Sequence, residues 1–244
     1  MGKAVSRFAL AAGISLALAF TFSCSGDSGD EQSGGSDLSD LIKLIQIYLV
    51  EDRWWDGTVV KTAYKGNSYI FALRDINDET SPWGYITDTL STSKIEGGQL
   101  SLNLPENMDS KYLEKLVFCE SEYWIFCETD VVAPPDLFVG WIDFDGDLNG
   151  RGGCGTDRLN LIKSGERIGW ANFDYASKSG KVTGTMTGQY IDEPEIEKYK
   201  YNLNLSKGWN LVYYIGGNGE WLVTTDLPAN TKLEWWWECG GLAE

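Results

Sequence analysis

Residues 199–215 read YKYNLNLSKGWNLVYYI and carry the clearest fold signal in the chain. Every second residue from Tyr199 to Leu205 is apolar, and large apolar residues resume from Trp209 to Ile215 after a Ser-Lys-Gly turn. A period of two is typical of β-strands with one buried face. Two such runs around a glycine turn predict a β-hairpin. We therefore expect two paired strands in the last third of the chain.

Other stretches predict strands from alternation, aromatic content and glycine-rich turns. These predicted strands and strand pairs are 59–64 with 68–73, 123–126, 137–142, 159–162 with 167–175, and 233–239. The stretches 123–126 and 137–142 are apolar on both faces, which predicts central strands. Residues 38–50 begin with helical spacing and predict a short helix leading into a strand. Residues 37–244 are thus predicted to be all-β, an antiparallel β-sandwich with a candidate subdomain boundary at 133–135.

The N-terminus has the pattern of an export signal. Lys3 and Arg7 precede an almost wholly apolar stretch over residues 8–22. That stretch is about 15 residues, shorter than the roughly 20 that span a bilayer, and a basic start before a short apolar segment is typical of a secretory signal. Residues 1–23 are therefore predicted to be a signal peptide.

The end of this segment resembles a bacterial lipoprotein signal. Cys24 follows the apolar stretch directly, although Thr21 stands where the lipobox usually has Leu. The resemblance implies cleavage before Cys24 and lipid attachment to its sulfur, which anchors the protein to the outer membrane with its domain at the cell surface. The alternative is an ordinary signal peptide cut nearby. After the cysteine, residues 25–36 are Ser, Gly, Gln and acidic residues. They have nothing apolar to bury, so residues 24–36 are predicted to be a flexible tether.

Charge and composition exclude several classes of function. The net charge is −16, and removal of residues 1–23 makes it two units more negative, because Lys3 and Arg7 lie there. Phosphate binding needs a basic surface, so a nucleic-acid partner is not expected. The chain has no histidine. Catalysis by a Ser-His-Asp triad and zinc sites built on histidine are therefore excluded.

Four cysteines remain after Cys24, and an exported location permits disulfides. These are Cys119, Cys127, Cys154 and Cys239, which allow three pairings. Cys119 and Cys127 lie close in sequence and predict a local bridge, provided that a turn separates them. The complementary pair is then Cys154 with Cys239.

The sharpest metal candidate is the acidic run over residues 143–150. Asp143, Asp145, Asp147 and Asn149 alternate with other residues before Gly150. Alternate oxygen ligands on a tight loop suit calcium, and the run is similar to the start of an EF-hand-like loop. The position for a closing carboxylate holds threonine instead. The alternative is a solvated turn between strands, which these residue types form without metal.

Eleven tryptophans raise the prospect of carbohydrate binding, because exposed aromatic rings stack on sugar faces. Trp235 and Trp237 share a face with Leu233 and are predicted to face the core. Trp236 points the other way and, with Trp54 or Trp55, is the candidate ligand-binding residue. The alternative is that these rings fill a β core or cover its edge.

Parts of the chain resemble a poorly characterised group of Bacteroidota-type surface lipoproteins of unknown function. The resemblance rests on VTGT at 182–185, YNLNLSKGWN at 201–210, the Trp-rich end and GQLSLNLP at 98–105. It covers roughly half of the mature chain and contains no active-site motif. It implies an all-β secreted domain with no assigned activity.

Together these patterns favour a membrane-anchored lipoprotein with a non-enzymatic binding or structural role, with carbohydrate as the candidate ligand. No cofactor is expected apart from the calcium considered above. One alternative is a glycoside hydrolase that uses two carboxylates, although nothing selects the pair. The other is an assembly lipoprotein that docks a partner protein on its sheet, which an exposed apolar patch would favour.

Overall fold

The computed structural model describes residues 38–43, 45–53, 58–77, 85–119, 123–147, 154–156, 159–191 and 194–239. This part of the chain is all-β, with one short helix at Leu38–Lys43 and a 3₁₀ helix at Ser110–Tyr112. The strands are β1 Gln46–Arg53, β2 Thr58–Ala63, β3 Ser68–Asn77, β4 Tyr85–Glu96, β5 Gln99–Ser101, β6 Glu114–Lys115, β7 Trp124–Thr129, β8 Phe138–Trp141, β9 Asp143–Asp147, β10 Cys154–Thr156, β11 Leu159–Lys163, β12 Glu166–Ala176, β13 Gly180–Tyr190, β14 Glu197–Leu205, β15 Gly208–Gly217, β16 Glu220–Thr224 and β17 Thr231–Cys239.

Hydrogen-bond pairings join these strands into one continuous, branched network. The main sheet runs β2–β1–β17–β11–β12–β15–β16–β14–β13–β7. A second arm, β10–β9–β3–β4–β5, branches from β17, and β8 with β6 branches from β12. Most pairs are antiparallel, but β1 with β17 and β14 with β16 are parallel.

The second arm packs on the main sheet and gives the predicted sandwich its two layers. Phe144 of β9 meets Phe173 of β12 and Trp235 of β17 edge-on, with ring centroids 5.6 and 4.8 Å apart. Ile70 and Ala72 of β3 are fully buried in the same core. Edge-to-face aromatic pairs add about 0.5–1.5 kcal/mol each beyond the area they bury. The contact of β9 with β12 and β17 is therefore the centre of the sandwich.

The other end of the main sheet has its own buried layer. Tyr201, Met186 and Val223 lie on neighbouring strands and are buried. Phe118, from the segment before β7, covers Tyr201 edge-on at 5.3 Å. Tyr201 lies on one face of the main sheet, whereas Phe173 lies on the opposite face. The main sheet is therefore covered on one face near β14 and on the other face near β12 and β17. Strands such as β12 and β15 are consequently buried on both faces.

The structure confirms some predicted pairs and corrects others. β11 and β12 form the expected hairpin, and the short helix leads into β1 as predicted. The hairpin predicted for residues 199–215 is wrong, because β16 pairs with β14 on one side and β15 on the other. The pair predicted for 59–64 and 68–73 is also wrong, since β2 pairs with β1 whereas β3 pairs with β4 and β9.

The prediction of a central strand at 123–126 is corrected as well. Within the described part of the chain, β7 has one partner, β13, and lies at the edge of the sheet. Strands from either side of residues 133–135 pair directly, β3 with β9 and β7 with β13, so hydrogen bonds cross the predicted subdomain boundary.

The helices in the described part of the chain are too short to span a bilayer.

Candidate functional site

The predicted ligand residue Trp236 belongs to a cluster on one face of β2, β1 and β17, which we call the aromatic face. Its members are Gln46, Tyr48, Lys61, Glu234 and Trp236. In the parallel pair of β1 and β17, Gln46 lies beside Glu234 and Tyr48 beside Trp236. Lys61 of β2 is opposite Val50 of β1, two residues along from Tyr48. Residues at matching register positions share a face, so the pairing brings the five side chains together.

Glu234 is the centre of the aromatic face. Lys61 Nζ lies 2.9 Å from Glu234 Oε2, and Trp236 Nε1 donates a hydrogen bond of 2.8 Å to the same oxygen. The Lys61 ammonium lies 3.9 Å from the centroid of the Trp236 ring and 6.0 Å from that of Tyr48. The Tyr48 hydroxyl donates to Gln46 Oε1 at 2.9 Å. Glu234 is buried, and these two donors compensate a carboxylate that would otherwise be costly in that position.

The predicted orientation of the tryptophans is correct where side chains are described. Trp235 is 2% exposed and packs in the core, while Trp236 lies on the opposite face. Trp236 is half-buried rather than open, because Lys61 covers its ring. Trp54 and Trp55 lie outside the described residues, and in sequence they stand between β1 and β2. The two strands that flank them are thus the same two that carry Tyr48 and Lys61.

The acidic run predicted to bind calcium is a strand as far as Asp147. β9 pairs with β3 and β10, so the expected loop is not present over Asp143 to Asp147. Alternate residues of a strand lie on one face about 7 Å apart, so the strand does not gather Asp143 and Asp145 as a tight loop would, and calcium binding stays a prediction. Asp145 Oδ1 instead accepts a bond from Gly146 N–H at 2.8 Å. Asn149 lies outside the described residues, and the described ones contain no group of three metal-binding side chains.

One of the two predicted cysteine pairs is formed in the structure. Cys119 and Cys127 form a disulfide with their Cα atoms 5.3 Å apart, which confirms the local bridge. Cys154 and Cys239 are directly opposite each other in the antiparallel pair of β10 and β17. That register is the one that the predicted second pair requires, and the bond itself stays a prediction. Cys24 lies outside the described residues.

A buried polar cluster is the feature that the sequence did not indicate. Asp174 of β12 lies opposite Asn210 of β15 and Trp141 of β8, and it is fully buried. Arg74 stacks on Trp141, with its guanidinium carbon 3.6 Å from the ring centroid, and its Nη2 bonds to Glu114 at 2.6 Å. The only sequence signal was a charged residue between two large aromatics, a pattern that normally marks a solvent-facing position.

Desolvation raises the pKa of the Asp174 carboxyl well above its usual range. The negative charge of Asp143 raises the pKa further, whereas the positive charge of Arg74 lowers it. Neither carboxyl oxygen of Asp174 has a hydrogen-bond partner. Glu114 at the margin of the cluster is exposed, but Asp174 and Asn210 themselves are both 0% exposed. We therefore treat it as part of the packed interior and not as a ligand site.

The chain was compared with protein families, characterised proteins and solved structures, and none of the three comparisons found a match.

Proposed function

We propose that the protein is a non-enzymatic binding lipoprotein, anchored to the outer membrane through Cys24, that binds carbohydrate at the aromatic face. The observation that carries the ligand class is the juxtaposition of Tyr48 and Trp236 on adjacent strands around the Lys61–Glu234 ion pair. Aromatic rings present a broad apolar surface to the faces of sugars. Charged and amide groups at their margin can hydrogen-bond with hydroxyls.

The polar groups of the aromatic face are already oriented. Glu234 holds both the Lys61 ammonium and the Trp236 indole, so neither ring nor cation is free to rotate away. A sugar would lie across Tyr48 and the accessible part of Trp236, and its hydroxyls would bond with Lys61 and Gln46. Preorganisation of this kind lowers the entropy cost of binding.

The hydrolase alternative has less support on this face. A glycosidase needs two carboxyl groups about 5 to 10 Å apart, one of them able to give up or take a proton. Among the side chains described there, Glu234 is the one carboxylate, and it is engaged by Lys61 and Trp236. The arrangement is suited to holding a ligand.

The test is binding of the mature lipoprotein to a glycan array and to insoluble polysaccharides, compared with the variants Tyr48→Ala and Trp236→Ala. We expect at least about tenfold weaker binding for each variant, because each removes one ring of the platform. Tyr69→Ala is the matched control, since Tyr69 is a 49% exposed tyrosine on β3 outside the aromatic face. Binding that is unchanged in Trp236→Ala, or the absence of any bound glycan, would reject the proposal.

A further inference from the structure

One edge of the main sheet exposes a group of large apolar side chains, which we call the β7 edge surface. It comprises Tyr123, Ile125, Phe126 and Ile191, which are 47%, 59%, 37% and 61% exposed. The Ile191 N–H donates to the Tyr123 carbonyl at 2.8 Å, so the end of β13 and the start of β7 lie side by side. Exposed apolar groups of this kind on a soluble domain commonly mark interaction sites.

The backbone at this edge is available for pairing. The described strands include one neighbour of β7, which is β13. Asp130 N–H bonds to the Thr185 carbonyl, and hydrogen bonds on an antiparallel strand alternate in direction. The N–H of Thr129 therefore points away from β13. A free edge of this kind can accept an added strand.

The edge is held rigid on its inner side. The Cys119–Cys127 disulfide ties β7 to the preceding segment. Trp124 stacks on Tyr190 of β13 with ring centroids 3.9 Å apart. The strand that would receive a partner is thus fixed before binding, which reduces the ordering cost of association.

Charge indicates what kind of partner fits. Residues 116–136 contain five acidic residues and residues 182–197 contain four, so acids outnumber the three lysines that border these segments, which are Lys115, Lys181 and Lys198. The chain's own tether, with Asp27, Asp30 and Glu31 and no basic residue, carries the same sign. A second copy, with a net charge of −16, would also be repelled. A basic partner is favoured, since complementary charge steers encounter and disfavours wrong partners.

We propose that the β7 edge surface binds an extended segment of a partner protein in which apolar side chains alternate with lysine or arginine. The segment adds to β7 as a further strand. Its apolar side chains cover Ile125 and Phe126. Glu128 lies on the same face of β7 as Phe126, so the cations of the alternating segment project from the opposite face and are attracted by the net negative charge of the chain. This interaction is separate from the aromatic face, so either proposal can fail without the other.

The test measures fluorescence anisotropy of a labelled peptide of alternating lysine and valine with the mature full chain. Thr129→Pro removes the outward N–H without breaking a bond to β13, and Ile125→Ala removes apolar surface from an exposed position. We expect each change to weaken binding at least about tenfold, and binding to decrease with added salt. Ile86→Ala is the matched control, because Ile86 is an isoleucine on β4 that is 43% exposed.

Equal melting temperatures of the variants will show that weaker binding does not come from unfolding. The proposal is overturned if the wild-type protein does not bind the lysine–valine peptide, or if a glutamate–valine peptide binds as well. It is also overturned if Thr129→Pro and Ile125→Ala bind like Ile86→Ala. Sedimentation that shows a wild-type dimer dissociated by Thr129→Pro would assign the edge to a second copy instead.

Discussion

Asp174 and Asn210 face each other across the pair of β12 and β15, both with no exposed surface. The two carboxyl oxygens of Asp174 and the side-chain oxygen of Asn210 have no hydrogen-bond partner. The Asn210 amide nitrogen is directed to the Gly208 carbonyl instead. An ionised Asp174 would thus be buried beside an unpaired oxygen dipole. The neutral acid is the form that this site stabilises, in keeping with the raised pKa of its carboxyl.

We expect this carboxyl to make stability fall as pH rises. The pKa of Asp174 is raised in the folded state, so the folded protein binds the proton more tightly than the unfolded chain. The contribution is complete below the unfolded carboxyl pKa, near 3.9, and is lost as pH rises through the folded pKa. Asp174→Asn removes the charge, and we expect it to gain about 1–3 kcal/mol at neutral pH. Urea unfolding at pH 4.5 and 7.5 measures both effects.

The control for that measurement is Asp226→Asn, which removes a carboxylate from an exposed position. A wild-type protein whose stability does not fall between the two pH values would contradict a neutral Asp174, as would an Asp174→Asn variant that keeps the full wild-type slope.

The Cys119–Cys127 disulfide closes a short loop, with a sequence separation of 8. Loop-closure entropy predicts a contribution of about 2.5 kcal/mol for a loop of this length. The double variant Cys119→Ala with Cys127→Ala should therefore be less stable by about that amount in denaturant unfolding. The wild-type protein under reducing conditions is the comparison and should approach the variant. Equal stability of oxidised wild type and variant would show that the bridge adds nothing.

Gly216 and Gly217 provide a matched pair for backbone strain. Gly216 has φ +141, and a Cβ there would lie 2.1 Å from the Glu220 carbonyl oxygen. A Cβ at Gly217 would meet no atom within 4 Å. We expect Gly216→Ala to cost about 1–3 kcal/mol and Gly217→Ala to stay within about 0.5 kcal/mol of wild type. Thermal melts of the two variants measure the difference, and similar losses in both would contradict this account of β15.

Lipid attachment at Cys24 predicts a specific loss on substitution. In Cys24→Ser the sulfur that would carry the lipid is absent, so we expect no incorporation of labelled palmitate. The variant should leave the membrane fraction, because a lipid anchor supplies its affinity through buried methylene groups. Labelling that persists in Cys24→Ser would place the anchor elsewhere or reject it.

The register of β10 and β17 leads to a prediction for the remaining cysteines. Cys154 and Cys239 are directly opposed, and cross-strand neighbours are within the Cα distance that a disulfide allows. Digestion without reductant should yield one peptide that joins the two residues. Recovery of both as alkylated free thiols from protein kept under oxidising conditions would reject the bond.

The sequence predicted strands better than it predicted their partners. Alternation around Leu203 and Leu211 depends on local burial, so β14 and β15 form where expected. β16 lies between them because it pairs in parallel with β14, where Val223 is beside Tyr201. No local sequence pattern predicts this pairing. The apolar residues on both faces of 123–126 predict a central strand that contains Phe126. Its exposure arises from the position of β7 at the sheet edge, which only the tertiary arrangement determines.

The candidate sites show the same division. The opposite orientations of Trp235 and Trp236 follow from the period of a strand and were predictable. The coverage of Trp236 by Lys61 could not be predicted, since β2 and β17 lie far apart in sequence. The burial of Asp174 could not be predicted from the sequence either, because it requires β12 to be covered on both faces.

The parallel pairing of β1 with β17 has a consequence for biogenesis. Gln46 lies beside Glu234, so the first of the described strands takes the last of them as its neighbour. Contacts between such distant residues form late, because the loop they close includes almost the whole domain. Until β17 is available, β1 has only β2 to pair with among the described strands. Completion of this sheet therefore waits for the synthesis of β17, and truncation of that strand would leave one side of β1 unpaired.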